Sequence, residues 1–406
     1  MISGADSDRR SVDERRTRAA TVPGTALLAA LVVGALALRP QLTAVGPLLP
    51  DIQADLGVDH ARGGLLATIP ILCMGLFGLS AARVLRRVDV RTAIAGCLAV
   101  VAAATLLRAV MPGFAAVLAL TFPFGIAAGV MGALLPVVVK EGFGTHAVLG
   151  TGVFAFALNV GASLGAGLAV PLATVTGSWR WSFGLLAAAG ALCLPGWVRL
   201  SRSTLGGALP VATGERLPWR SPFAWAATVV FALQALCFFA LNAWLADAMI
   251  ERGWTAGRAG ALVALFNIIP LVGVVLVSIF GGRRVGIRAY LAVSAAGLVA
   301  GSAAIAHGSG AAWGWIVLLG LSLGSLFALA MALSVVAARA PGEVAASAAM
   351  QLGVGYIVAA LAPVALGLLR DATGGFAAGL WVVAGFAVLL LLAVAAVAVL
   401  LPEDAR

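Results

Sequence analysis

The chain has 406 residues, 62% of them hydrophobic and 10% charged, with a mean hydropathy of +1.08. A soluble domain is ~25% charged, so this composition excludes a water-soluble globular fold and requires lipid as solvent. The net charge of +10 does not point to nucleic acid, because basic residues on a membrane chain are read by position, not in total.

Residues 1–21 are polar, with acids and bases mixed, and read as a disordered cytoplasmic N-terminus. Basic residues ahead of an apolar stretch also resemble a signal peptide. The stretch is too long for one, contains Arg39 and is followed by many more, so it reads as a first membrane span. Apolar runs then give twelve spans: 22–49, 64–84, 92–110, 113–139, 147–173, 181–200, 223–248, 260–281, 287–306, 312–338, 344–369 and 377–401. The runs are too long for strands and lack the alternation of a membrane barrel. The expected fold is all-α and integral to the membrane. A tail at 402–406 closes the chain.

Orientation follows from the arginines. With the N-terminus inside, 19 of the 26 basic residues fall on inside segments and six on outside ones. An even number of spans then places both termini in the cytoplasm.

The two halves resemble each other. "RRVDVR" at 86–91 returns as "RRVGIR" at 283–288. Gly57, Arg62 and Gly64 return as Gly253, Arg258 and Gly260, and Asp51 is matched by Asp247. Asn159, Gly161 and Pro171 return as Gln351, Gly353 and Pro363. Gly125 and Gly129 return as Gly320 and Gly324. The order is kept throughout, so the chain reads as a six-plus-six duplication, with pseudo-symmetric bundles at 22–200 and 223–401. The stretch 201–222, rich in Gly, Pro and Arg, reads as a cytoplasmic linker between them. Gly125, Gly129, Gly161 and Gly165 are spaced for close helix packing.

Twelve spans in two similar halves, with basic loops after spans 2 and 8, resemble the major facilitator superfamily. "RRVDVR" is similar to that family's loop signature, but lacks the acid before its first arginine. "LRPQLTAVGPLLPDIQADLG", "LLPVVVKEGF" and "NAWLADAMIERGWTAGRAG" further resemble the branch that includes bacterial cyanate permeases and 2-nitroimidazole transporters. The resemblance implies a secondary transporter of the inner membrane that works by alternating access, as a monomer and with no cofactor. It also implies that spans 1, 4, 7 and 10 line a cavity, with 2, 5, 8 and 11 at the rim between halves. Substrates vary within the branch.

Arg39 carries the main functional expectation. A charge at mid-membrane costs ~2.5 kcal/mol or more and persists facing a bundle interior or watery cavity. Arg39 is about ten residues, or ~15 Å, from the outer end of its span, which makes snorkelling uncomfortable. None of the sixteen acids falls mid-span. Either a solute supplies the partner, or neutral groups share the task within the protein. Pro40 loosens the helix beside it, and Thr43 lies one turn on. Asn159, Gln234, Asn242, Asn267, Gln351 and Tyr356 are polar groups within spans. Two readings stand for them: cavity lining, which the resemblance implies, and helix–helix hydrogen bonding.

Arg86, Arg87, Arg91, Arg283, Arg284 and Arg288 are the gating-loop candidates. Lys140, beside Glu141, reads as a helix-end charge pair or as part of an inner gate. Arg108 and Arg180 read as loop-side structural charges. Cys73, Cys97, Cys193 and Cys237 read as inert thiols in apolar runs, and the three histidines are too scattered for a metal site.

The function expected is movement of a small anionic or electronegative organic solute, uncoupled or with a co-transported proton. No G-x-x-x-x-G-K-[ST] loop is present for direct ATP use. The main rival is a multidrug exporter, whose bulky cations Arg39 would repel. A channel would need a continuous polar stripe, and a membrane enzyme would need clustered acids or histidines at depth.

Overall fold

The computed structural model describes residues 25–400 apart from 79, 86, 144–146, 203–216, 281–285, 309 and 338–340. The expected N-terminal segment, the tail, most of the linker, and Arg86, Arg283 and Arg284 lie outside the described residues. Among the described residues, twelve helical stretches are long and apolar enough to cross a membrane, each overlapping one expected from the sequence. Spans 1 to 6 are Thr25–Thr43, His60–Gly78, Val90–Val110, Phe114–Val139, Gly152–Thr176 and Trp179–Leu200. Spans 7 to 12 are Pro222–Glu251, Ala256–Val277, Ile287–His307, Ala312–Leu333, Ala346–Thr373 and Ala377–Leu400. Helices satisfy every backbone group internally, which lipid demands.

The spans form two pseudo-symmetric six-helix bundles. Span 2 packs on span 4, span 3 on spans 4 and 6, and span 1 on spans 5 and 6. The same pairs recur six spans later: 8 on 10, 9 on 10 and 12, 7 on 11 and 12. Local detail repeats as well. Gly57 and Gly253 both adopt positive φ, at 63° and 86°, ahead of spans 2 and 8. Two residues on, Asp59 and Thr255 cap those spans, accepting the N–H groups of Arg62 (2.7 Å) and Arg258 (3.4 Å). The halves meet where span 2 packs on span 11, span 5 on span 8, and the extension of span 1 on span 7.

Glycines set the closest crossings. A Cβ on Gly125 would lie 2.8 Å from Pro70 Cα, and one on Gly129 2.8 Å from Met74 Cα, both on span 2. Gly320 and Gly324 meet Ile269 and Pro270 of span 8 in the same way. The small-residue spacing therefore marks helix contacts, as expected.

Span 1 departs from a single run over 22–49. A helix over Thr25–Leu38 stops at Arg39, a turn covers Pro40–Thr43, and a second helix runs from Val45 to Leu56. Pro40 has no N–H for the Leu36 carbonyl, so the ladder must break there. The Arg39 carbonyl restarts it by accepting from Leu42 (3.0 Å) and Thr43 (3.1 Å).

Candidate functional site

The break puts Arg39 at the junction of two helices, well inside the bundle. Its side chain is half-buried, and its Nε is buried without a hydrogen-bond partner. The hydroxyl of Tyr356, on span 11 of the other half, lies beside the guanidinium. Tyr356 is held by aromatic contacts with Phe231 (5.6 Å) and Phe239 (5.9 Å) of span 7. Among the described residues the ion pairs are His60 with Asp247 and with Asp371, Arg180 with Asp55, and Arg370 with Glu251. All lie at span ends, and none includes Arg39.

Of the other expected site residues, several are committed to neighbouring helices. Thr43 is 1% exposed and donates to the Ala162 carbonyl of span 5 at 2.7 Å. It faces span 5, not an open path. Gln234 donates to the Leu323 carbonyl of span 10 at 3.1 Å. Asn242 donates to Asn267 Oδ1 at 3.0 Å, and Asn267 to its own helix at Val263. These three amides are bonded within the helix packing, because a buried amide takes the nearest acceptor. Asn159 is half-buried and donates to Ala155 of its own helix at 2.8 Å. Gln351 differs: it is 1% exposed, with neither polar atom hydrogen-bonded. It lies on span 11 a turn and a half before Tyr356, on another side of the helix. The structure thus brings together Arg39 and Tyr356, and separately Asn242 and Asn267.

In the loop after span 2, Arg87 is exposed and Arg91 is half-buried. Arg91 ties span 3 to span 6, donating to Val198 O at 3.3 Å, while Trp197 donates to Arg91 O at 3.0 Å. Arg288 is half-buried at the start of span 9. The Lys140 and Glu141 side chains lie outside what is described. Arg108 corrects its expected loop-side position. It is 2% exposed, between the rings of Phe124 (5.5 Å) and Phe183 (5.0 Å). Helical side chains lean toward the N-terminus, which draws it back into the bundle from the end of span 3.

One cluster had no warning in the sequence. His60 opens span 2 with its Nδ1 2.7 Å from Asp371 Oδ1 and its Nε2 3.8 Å from Asp247 Oδ2. Nearby, Arg370 meets Glu251 at 3.3 Å. Each residue by itself looks like an ordinary span-end charge.

Twelve apolar spans in two like bundles, with a half-buried arginine at the break of span 1 that makes no ion pair among the described residues, define a multi-pass membrane transporter. The family model for the Major Facilitator Superfamily matches residues 31–363, and the chain belongs to that family. It is similar to a 2-nitroimidazole transporter of Escherichia coli K12, 28% identical over 371 residues, covering 90% of this chain and 93% of that one. It is also similar to the cyanate transport protein CynX of the same strain, at 27% identity over 86% of this chain and 91% of that one. Among solved structures, an inward-facing bacterial homologue of the human lysosomal transporter Spinster superposes with a TM-score of 0.77 at 15% identity, covering 94% of this chain and 97% of that one. A peptide transporter crystallised with sulfate superposes at 0.74, with 16% identity and the same coverage. At these identities the structures share the fold.

Proposed function

We propose that the chain carries a small anionic or electronegative organic solute across a bacterial inner membrane by alternating access, with Arg39 as its central binding group. One observation carries this reading: the Arg39 guanidinium sits at the helix break inside the bundle, beside the Tyr356 hydroxyl of the other half and with its Nε unbonded. An arginine fork offers paired donors to nitro, carboxylate or cyanate-like groups. Arg39 and Tyr356 belong to different halves, so a solute between them would be gripped by both bundles. The relatives named for 2-nitroimidazole and cyanate transport support the same solute class. Gln351, with its unbonded amide, is a further solute contact in this proposal, and Asn159 lines the rim. Both termini lie in the cytoplasm, and the carrier acts as a monomer.

A thermal-shift screen of purified protein tests this, using cyanate, nitrate, small carboxylates and 2-nitroimidazole, with cationic dyes as controls. A ligand at 100 times its Kd stabilises by about 2.7 kcal/mol, which a melt resolves. At least one of the anionic or nitro compounds is expected to raise the melting temperature. A rise with the dyes and with none of these compounds would overturn the reading in favour of a drug exporter.

A further inference from the structure

We propose that His60 and Asp247 form a proton-binding site that latches the two halves together at one end of the transport path. The site stands apart from Arg39 and does not depend on what solute is carried.

His60 belongs to the first half, and Asp247 and Asp371 to the second. Asp371 is fixed as an acceptor. Its Oδ2 accepts the Ala61 N–H at 2.8 Å, and its Oδ1 accepts the His60 N–H at 3.3 Å, so it caps the start of span 2 from across the seam. The same Oδ1 sits 2.7 Å from His60 Nδ1, so that nitrogen must carry the ring's proton. A neutral ring then turns the bare lone pair of Nε2 toward Asp247 Oδ2, 3.8 Å away. That oxygen is buried without a hydrogen-bond partner, on a residue only 8% exposed. Two acceptors face each other where one donor is needed. A single proton from water, on Nε2 or on Oδ2, converts the conflict into a charge-assisted bond across the seam.

The surroundings make that position specific. Trp244 and Phe376 wall the imidazole, each with its ring 5.7 Å away. Trp244 is itself pinned by its bond to the Pro363 carbonyl at 2.7 Å. Gly367 admits the His60 carbonyl, where any Cβ would collide. The remaining charges on the packed elements have partners or caps of their own, or face solvent. On spans 7 and 11, Glu251 takes Arg370 and the Phe376 N–H. On the span 1 extension, Asp55 takes Arg180, and Asp51 is exposed. At the start of span 2, Asp59 caps the helix and Arg62 is exposed. Across the seam, Arg258 stacks on Trp254. Asp247 is the buried carboxylate in this group left wanting a donor.

The latch therefore closes with a proton bound and loosens without one. The arginine bias places this end outside, so external acid would hold the outer end shut. Spin labels on Ala54→Cys and Ala372→Cys, with the four native cysteines replaced, would report the gap between halves in solute-free protein. Moving from pH 8 to pH 5.5 is expected to raise the ratio of short- to long-distance populations by roughly tenfold or more, the worth of one charge-assisted bond. His60→Asn keeps an amide donor for Asp371 but removes the Nε2 that shares the proton with Asp247, so its ratio should ignore pH. Asp247→Asn supplies a permanent donor to Nε2 and should stay short at both pH values, which keeps the test decisive should His60→Asn fail to fold. A native ratio unchanged between the two pH values, or an acid response surviving in His60→Asn or Asp247→Asn, would overturn the proposal.

Discussion

Gly165 is where the backbone of span 5 backs onto the bend beside Arg39. A Cβ there would meet the Pro40 carbonyl oxygen and lie 2.5 Å from Pro40 Cα and 2.6 Å from Thr43 Oγ1. Two of those three atoms are backbone, so no rotamer change relieves the clash. Ordinary carbon contacts begin near 3.5 Å, so spans 1 and 5 must part by roughly 1 Å. Overpacking of this kind costs about 1–3 kcal/mol. The separation also stretches the 2.7 Å bond from Thr43 to Ala162, worth about 1 kcal/mol. Gly165→Ala should therefore lose about 2–4 kcal/mol of stability and weaken solute binding, because Arg39 hangs from the same bend. Thermal melts and binding titrations on one purified preparation measure both. Gly96→Ala is the control, since its Cβ would have nothing within 4 Å. A Gly165→Ala protein that melts and binds like the control would refute the claim that this crossing sets the site.

Asp89 caps span 3 by accepting the Thr92 N–H at 2.9 Å, and that backbone bond is the largest cause holding its carboxyl below the usual range. A depressed carboxyl stabilises above its unfolded pKa of ~3.9 and loses the effect as pH falls through its folded value; Asp89→Ala should cost about 1 kcal/mol at pH 7, with the difference fading in melts below about pH 4. Asn242→Ala leaves Asn267 Oδ1 without its donor, and a double-mutant cycle with Asn267→Ala should return about 0.6 kcal/mol, the average for such bonds between membrane helices. A near-zero coupling would dismiss that bond. Cysteines at Asp89 and Gly286 should resist an impermeant maleimide in intact cells, and labelling of either from outside would invert the orientation.

Much of the fold was legible because lipid imposes simple rules. Span length and repeated glycines need no tertiary information. The break at Arg39 was readable too, since Pro40 removes a specific donor. Helix rotation was not. Spans 7, 8 and 10 are apolar nearly all round, so nothing in their periodicity tells that Gln234 turns to Leu323 or Asn242 to Asn267. Arg108 was misplaced because position along a span says little about side-chain direction. The His60 cluster was invisible because its members lie in three separate spans, and the duplication matches Asp247 with Asp51, which has no part in the latch.

The central claim is that Arg39 holds the solute through both charge and geometry. Titration of the anion that most stabilises the native protein into Arg39→Lys and Arg39→Gln tests it most directly, with a melt on each sample. Lysine keeps the charge and loses the planar fork, so affinity should fall while the fold survives. Glutamine removes the charge, and losing a charge-assisted bond of ~1.5–3 kcal/mol should weaken binding by roughly 10- to 150-fold. A folded Arg39→Gln protein that binds the anion with native affinity would contradict the account.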